Sequence, residues 1–279
     1  MRMISLAVAT TLLLMHSAVA GTLDRVKADG VFKIGYRTDA QPYSYSTDAG
    51  LPAGYIVDIC RAVAAAVEKQ VERPDFRIEY VAVTAENRFD AVHDGRVDIL
   101  CDPTTMTLAR RALVDFSLMT FVDGASVLFK ADGPQSFEAL AGKKVGVREG
   151  TTTEKALRET LERLRVEAEI VAVKDHGDGL KRLTSGELSA YFADRAILAF
   201  LLLKSEARDQ LRLADDYFSH ETYALAMPRD DGAFRLLVDR TLAGLYRSGA
   251  IVPIYTKSFG QVPPSGIIKA MFVLNSLPE

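Results

Sequence analysis

The sequence predicts an α/β protein of two lobes, and three observations carry that reading. Short apolar strand patterns alternate with helix-period patterns along the chain, as in successive βαβ units. The chain of 279 residues exceeds the common single-domain size of about 100–150 residues. A complete strand–helix–strand–helix segment lies between Asp115-Phe116-Ser117 and Glu221-Thr222-Tyr223, both of which adjoin strands. The expected division is residues 22–120 plus 222–279 for the first lobe and 121–221 for the second. The chain is expected to cross near Thr120–Gly124 and Ser219–Tyr223.

Residues 1–20 stand apart from the fold. Arg2 gives a minimal basic start, Ile4–Met15 is an apolar run too short to span a bilayer, and Ala18-Val19-Ala20 has the small-x-small pattern of a signal peptidase site. A signal peptide at 1–20 predicts export to the periplasm. No later apolar stretch approaches the roughly 20 residues of a membrane span; Ala196–Leu203 closes at Lys204 and reads as a buried helix. With 48% hydrophobic and 25% charged residues, composition excludes disorder for most of the chain. A net charge of −3 with no basic block excludes nucleic acid and anionic membrane surfaces as implied partners.

In the first lobe, Leu23–Gly30 reads as a short helix and Val31–Tyr36 as a strand that delivers Arg37 at its end. Pro42-Tyr43-Ser44-Tyr45 forms an aromatic loop in which Tyr43 is a candidate pocket wall. Gly54 opens an amphipathic helix with Ile59, Val63, Ala66 and Val67 on one side, ending near Pro74. Arg77–Val83 is a β-branched and aromatic strand. Thr84 is then a candidate N-cap for the helix that holds Asn87, Arg88, Phe89 and Val92, which puts Arg88 in a first turn beyond a strand end.

The stretch Val97–Ser117 organises the rest. Val97, Ile99, Leu100 and Cys101 read as a buried strand, and Asp102-Pro103 ends it because proline has no N–H to donate to a ladder. Thr104, Thr105 and Thr107 follow at the strand's carboxyl end, where open α/β sheets place their ligand crevice. Arg110 comes within about one helical turn, and a guanidinium can hold a planar carboxylate with two charge-assisted hydrogen bonds. The same residues would also make a plain turn followed by a solvated Arg110-Arg111 pair. Cys60 and Cys101 are the only cysteines. In an exported protein they form one disulfide or remain two buried thiols, and their spacing matches no zinc motif.

In the second lobe, Val145–Val147 leads into Gly150-Thr151-Thr152-Thr153 and a helix with Ala156, Leu157, Leu161 and Leu164 on one side. Such a turn presents unpaired N–H groups to an anion, although threonine capping explains it equally well. Ile170–Val173 is a strand, followed by His176 and a short helix to Gly186. Leu188–Ala193 is a further strand, ending at Asp194 on the next helix. The Asp194 carboxylate suits an ammonium partner or caps its own helix. Tyr223–Met227 returns to the first sheet, Phe234–Tyr246 is an amphipathic helix, and the tail from Phe259 is expected to wrap the first lobe.

Taken in order, GYRTDAQPYSY, GYIVDIC, NRFDAVHDGRVDILCDPTT, ARRALVDFS, GTTTEKAL and AVKDHGDGLKRLTSGELSAYFADRAILA resemble the extracytoplasmic solute-binding proteins of polar amino acid ABC transporters, family 3. Within that family they resemble the glutamate/aspartate-binding branch. The resemblance implies a two-lobe periplasmic-binding-protein-like fold of type II, with two hinge strands, closing on one amino acid. It further implies a monomer without cofactor or metal, delivering its ligand to permease subunits. By the same resemblance Arg110 and Thr105 hold the ligand α-carboxylate and Asp194 receives the α-ammonium. Arg37, Arg88 and His176 surround an acidic side chain, while Thr151 and Thr152 close over the ligand. Three basic groups beyond the Arg110–Asp194 pair would leave positive charge uncompensated around a neutral ligand, which favours a second ligand carboxylate. Two positions depart from the branch: Ala85 and Pro103 stand where serines are common, and Glu86 adds a negative charge nearby. The rival expectations are a soluble sensing module for a membrane receptor and a cyclohexadienyl-dehydratase-like enzyme on the same scaffold.

Overall fold

The computed structural model describes residues 21–279, so the expected signal peptide lies outside the described residues. The chain opens with α1 (Thr22–Asp29), closed by Gly30 at φ 72°, then β1 (Val31–Arg37). A small antiparallel sheet of β2 (Asp39–Ala40), β3 (Ser44–Ser46) and β4 (Pro52–Ala53) follows. Next come α2 (Tyr55–Val71), β5 (Arg77–Val83), α3 (Arg88–His93), β6 (Ile99–Leu100), α4 (Leu108–Arg111) and β7 (Asp115–Asp123). The second unit contains β8 (Ala125–Lys130), β9 (Lys144–Arg148), α5 (Thr152–Leu164), β10 (Glu169–Val173), α6 (His176–Thr184), β11 (Ala190–Asp194), α7 (Arg195–Lys204) and β12 (Leu211–Leu213). The chain returns through β13 (Glu221–Met227) to α8 (Gly232–Ser248), α9 (Ile251–Phe259) and α10 (Gly266–Leu274).

Two five-stranded sheets result, in the orders β5-β1-β6-β13-β7 and β10-β9-β11-β8-β12. In the first, β1 runs parallel to β5 and β6, so three strands deliver their carboxyl ends to one edge. In the second, β9 runs parallel to β10 and β11 and does the same. Apolar residues at helical spacing on α2 (Ile56, Ile59, Cys60, Val63, Val67) are fully buried against the first sheet together with Phe234, Val238 and Leu242 of α8. Ile268 and Met271 of α10 join that core, so the tail does pack on the first sheet. The second sheet has its own apolar clusters, one on each face: Val145, Val147, Leu157 and Phe192 on one side, Leu183, Leu188, Tyr191 and Leu198 on the other.

The chain passes between the sheets twice, through β7–β8 and β12–β13. Asp123 pairs with Glu221 across the two crossings, and a Cβ on Gly124 would lie 2.2 Å from the Ser219 carbonyl oxygen. Glycine is required there because the crossing segments touch backbone to backbone. No helix among the described residues is long and apolar enough to cross a membrane.

The β7 strand runs from Asp115 to Asp123, with the Ser117 hydroxyl inside the sheet, where it accepts a hydrogen bond from the Leu225 N–H at 3.0 Å. One local difference from the sequence reading has a simple cause. Thr84 does not cap α3 directly. It and Asn87 bond reciprocally, each side-chain oxygen accepting the other's N–H, at 2.9 and 3.3 Å.

Cys60 on α2 and Cys101 beyond β6 are bonded to each other, and both are fully buried. The bond closes a sequence separation of 41 residues, for which loop-closure entropy gives a stabilisation of about 4 kcal/mol. Reduction, or the Cys60→Ser/Cys101→Ser double variant, is expected to lower the urea midpoint accordingly. Equal midpoints with and without reductant would show that the bond carries no stability.

Candidate functional site

The facing edges of the two sheets enclose a small, tightly lined pocket. Its lining comes from strand ends and the turns after them: Arg37 from β1, Arg88 from the first turn of α3, Pro103 and Thr105 after β6, and Arg110 from α4. The second sheet contributes Arg148, Thr151, Thr152, Thr153, His176, Phe192, Ala193 and Asp194. Eight sequence candidates therefore meet in one place: Arg37, Arg88, Thr105, Arg110, Thr151, Thr152, His176 and Asp194.

Tyr43 does not join them. Its ring is fully buried between Phe121, Tyr223 and Phe259, with centroids 5.0, 5.3 and 5.9 Å away, and its hydroxyl donates to Asp123 Oδ2 at 2.7 Å. An aromatic loop beside a glycine turn looks like a pocket wall in sequence. Here the apolar cluster beneath takes the ring instead. Thr151 follows the capping alternative: its hydroxyl caps α5 by accepting the Glu154 N–H at 3.0 Å and donates to the Arg148 carbonyl at 2.7 Å.

The arginines differ in what already occupies them. Arg37 Nε donates to Asp39 Oδ1 at 2.8 Å, and Arg88 Nε lies 3.8 Å from Asp102 Oδ2. The uncompensated positive charge inferred from sequence is therefore corrected: Asp39 and Asp102 stand beside those arginines, where Asp102 was read only as a strand end and Asp39 was given no role. Arg110 remains free of any salt bridge among the described residues, with Nη1 donating to the Thr105 carbonyl at 2.8 Å and the guanidinium 5.3 Å from the Phe89 ring. Its neighbour Arg111 is exposed, so the solvated-pair reading holds for Arg111 alone. Arg37 Nη2 lies 2.7 Å from Asp39 Oδ1, whereas Arg88 Nε and Arg148 Nε are buried and have no hydrogen-bond acceptor. Buried donors are normally satisfied, so two orphaned guanidinium N–H groups around one cavity are the chemical mark of an acceptor that belongs there.

His176 is 5% exposed, and its Nδ1 lies 2.6 Å from the Tyr191 hydroxyl. Burial, against the pull of Asp39, pushes the imidazole down to about 4, so it is neutral at pH 7. Asp194 shows the opposite effect. Burial first, then the nearby carboxylates of Glu221 and Asp123, push it up to about 8, although Tyr223 and Thr153 hydroxyls favour its charged form. Thr153 donates to Asp194 Oδ1 at 3.1 Å, while Asp194 makes no capping bond to α7.

The lobes touch across the site. Thr105 and Thr152, from opposite lobes, lie 3.2 Å apart, and both hydroxyls donate to Glu221 Oε2, Thr152 at 2.8 Å. The cleft is closed in this structure.

The family model for bacterial extracellular solute-binding proteins, family 3, matches residues 32–261. The chain belongs to this family. Among its curated relatives, an L-glutamate/L-aspartate-binding protein of Pseudomonas aeruginosa is 34% identical over 252 residues, 89% of this chain and 83% of the relative. A glutamate/aspartate import solute-binding protein of Escherichia coli is 32% identical over 252 residues, covering 90% and 83%. Among solved structures, an ancestral amino acid-binding protein described as a precursor of cyclohexadienyl dehydratase superposes with a TM-score of 0.73 at 26% identity, over 86% of this chain and all of that one.

For this solute-binding protein, sequence reasoning missed Arg148, Asp39 and Glu221. Arg148 was legible by the criterion that found Arg37, an arginine ending a strand before a turn. Glu221 carried no local signal. It becomes a site residue only because the second crossing brings β13 beside Thr105 and Thr152. Phe192 and Ile197, also missed, give the cavity its apolar wall.

Proposed function

We propose that this protein binds an acidic amino acid of the glutamate/aspartate type in the cleft, outside the cytoplasm, and hands it to the permease of an ABC transporter. The observation that carries the reading is the pair of buried arginine N–H groups without hydrogen-bond acceptors, Arg88 Nε from one lobe and Arg148 Nε from the other. In this reading Arg110 and Thr105 hold the α-carboxylate and Asp194 takes the α-ammonium from the opposite lobe. One ligand then touches both lobes, so binding and closure are a single event. Arg37 and Arg88 receive the distal carboxylate beside His176. The names of the relatives, which bind glutamate and aspartate, support the same class.

The working unit in this proposal is a monomer that functions without cofactor or catalysis. Its lobes are residues 22–120 plus 222–279 and residues 121–221, following a signal peptide at 1–20. The other carboxyl groups around the cleft are engaged: Glu86 by Arg148 at 3.2 Å, Asp39 by Arg37, Asp102 by Arg88 at 3.8 Å and Glu221 by the Thr105 and Thr152 hydroxyls. That leaves Asp194 as the candidate acid, and its place in this reading is on an ammonium.

The test is a thermal-shift panel on the protein from Gly21 onward, against the common amino acids and dicarboxylates. Saturation at 100 times Kd stabilises by about 2.7 kcal/mol, so glutamate or aspartate is expected to give the largest upward shift, with glutamine and asparagine well behind. A panel in which only neutral or basic amino acids raise the melting temperature rejects the acidic ligand, and dehydration of a cyclohexadienyl compound would favour the enzyme.

A further inference from the structure

Arg148 ends β9 in the second lobe, and its side chain reaches across the cleft to two carboxylates of the first. Nη1 lies 3.2 Å from Glu86 Oε1, Nη2 lies 3.4 Å from Glu86 Oε2, and Nε lies 3.7 Å from Asp39 Oδ2. Nη1 also donates to the Val173 carbonyl at 3.4 Å. The residue is 8% exposed, and both Arg148 Nε and Asp39 Oδ2 are buried without a hydrogen-bond partner. A separation of 3.7 Å is an ion pair but too long for a hydrogen bond. Two groups that cost free energy when unsatisfied therefore stand side by side, with a gap between them.

The partner that does satisfy Arg148 is weakly held. The Glu86 side chain is 47% exposed at the rim, where ion pairs contribute little because water competes for both charges. Asp39 is already bonded to Arg37, so it has one free oxygen rather than a free charge.

We propose that Arg148 is a specificity-determining residue of the second lobe, which releases Glu86 and grips the distal carboxylate of an acidic ligand opposite Arg37 and Arg88. This rests on the acidic-ligand reading above and adds a selection step to it. A ligand carboxylate can displace Glu86 because it offers Arg148 a charge in the enclosed cavity instead of at the rim. A ligand amide carries no charge to compete with, so glutamine leaves the Arg148–Glu86 pair in place and gains less from closure. Discrimination then has an attractive component, the new ion pair, and a competing one, Glu86.

The experiment is calorimetric titration of wild type, Arg148→Gln and Glu86→Gln with glutamate, aspartate and glutamine. R148Q is expected to weaken glutamate or aspartate by roughly 10- to 100-fold, the range of a charged hydrogen bond, while glutamine changes by less than about threefold. E86Q, at an exposed rim position that does not bear on folding, is expected to tighten the acidic ligands and leave glutamine unchanged. An acid-to-amide ratio unaltered in R148Q, or no tightening in E86Q, overturns the assignment while wild-type binding of acids still stands. Wild type that ignores every dicarboxylate overturns the acidic-ligand reading and this one together.

Discussion

Replacing Arg110 with alanine is expected to raise the Kd for the amino acid by roughly 30-fold to several thousand-fold, the 2–5 kcal/mol that follows from stranding one member of an enclosed charge pair. Arg110 is the cavity arginine that forms no salt bridge among the described residues, and Thr105 fixes its Nη1 at 2.8 Å. Its guanidinium is thereby preorganised for a carboxylate, with little rotamer entropy left to lose on binding. Lysine is expected to rescue only part of the loss, because a point charge cannot make two parallel hydrogen bonds to a carboxylate. Arg111→Ala is the matched control: that side chain is exposed on the same helix and is expected to bind as wild type. Calorimetry decides the matter, and wild-type affinity in R110A removes Arg110 from the ligand.

The part of this site that could be read from sequence is the part made by local chemistry. Arg37, Arg88 and Arg110 each follow a strand end or begin a helix, and strand ends in open α/β sheets face the crevice whatever the rest of the chain does. The same holds for the fold, since β1, β5 and β9 are short apolar runs whose neighbours forbid continuation. What could not be read is how elements from two lobes neutralise one another. Asp102 looks like a strand terminator because it is one, Asp39 opens the short strand β2, and their pairing with Arg88 and Arg37 depends on side-chain reach that spacing does not encode. Tyr43 failed for the complementary reason: its loop sits over the ring cluster of Phe121, Tyr223 and Phe259, and that cluster assembles from β7, β13 and α9, which are distant in sequence.

Asp194→Asn is expected to weaken the amino acid by a similar 2–5 kcal/mol or so, and to change the pH dependence of the unliganded protein in a way that identifies the cause. Burial together with Glu221 and Asp123 raises Asp194 to about 8, so in the empty cleft at pH 7 it holds its proton. An arriving α-ammonium favours the carboxylate, and binding should release a proton from this site. In the folded state the group binds its proton up to about 8, whereas an unfolded chain loses it near 3.8. Folding stability from this group is therefore present at low pH and lost as pH rises through that window, at up to about 1.4 kcal/mol per unit. Asp123, raised to about 6 by burial, acts in the same direction at lower pH. His176, lowered to about 4 by burial, acts oppositely: its contribution is present above about 6.5 and lost as pH falls through 4. Between pH 6.5 and 8 Asp194 is the one of these three still titrating in the folded state. Urea unfolding of the unliganded protein across that interval is expected to show stability falling with pH in wild type and a flatter profile in D194N. Calorimetry in buffers of different ionisation enthalpy is expected to show the ligand-linked proton release of wild type missing from the variant. A D194N protein that keeps the wild-type slope and the wild-type affinity would place the ammonium elsewhere in the cleft.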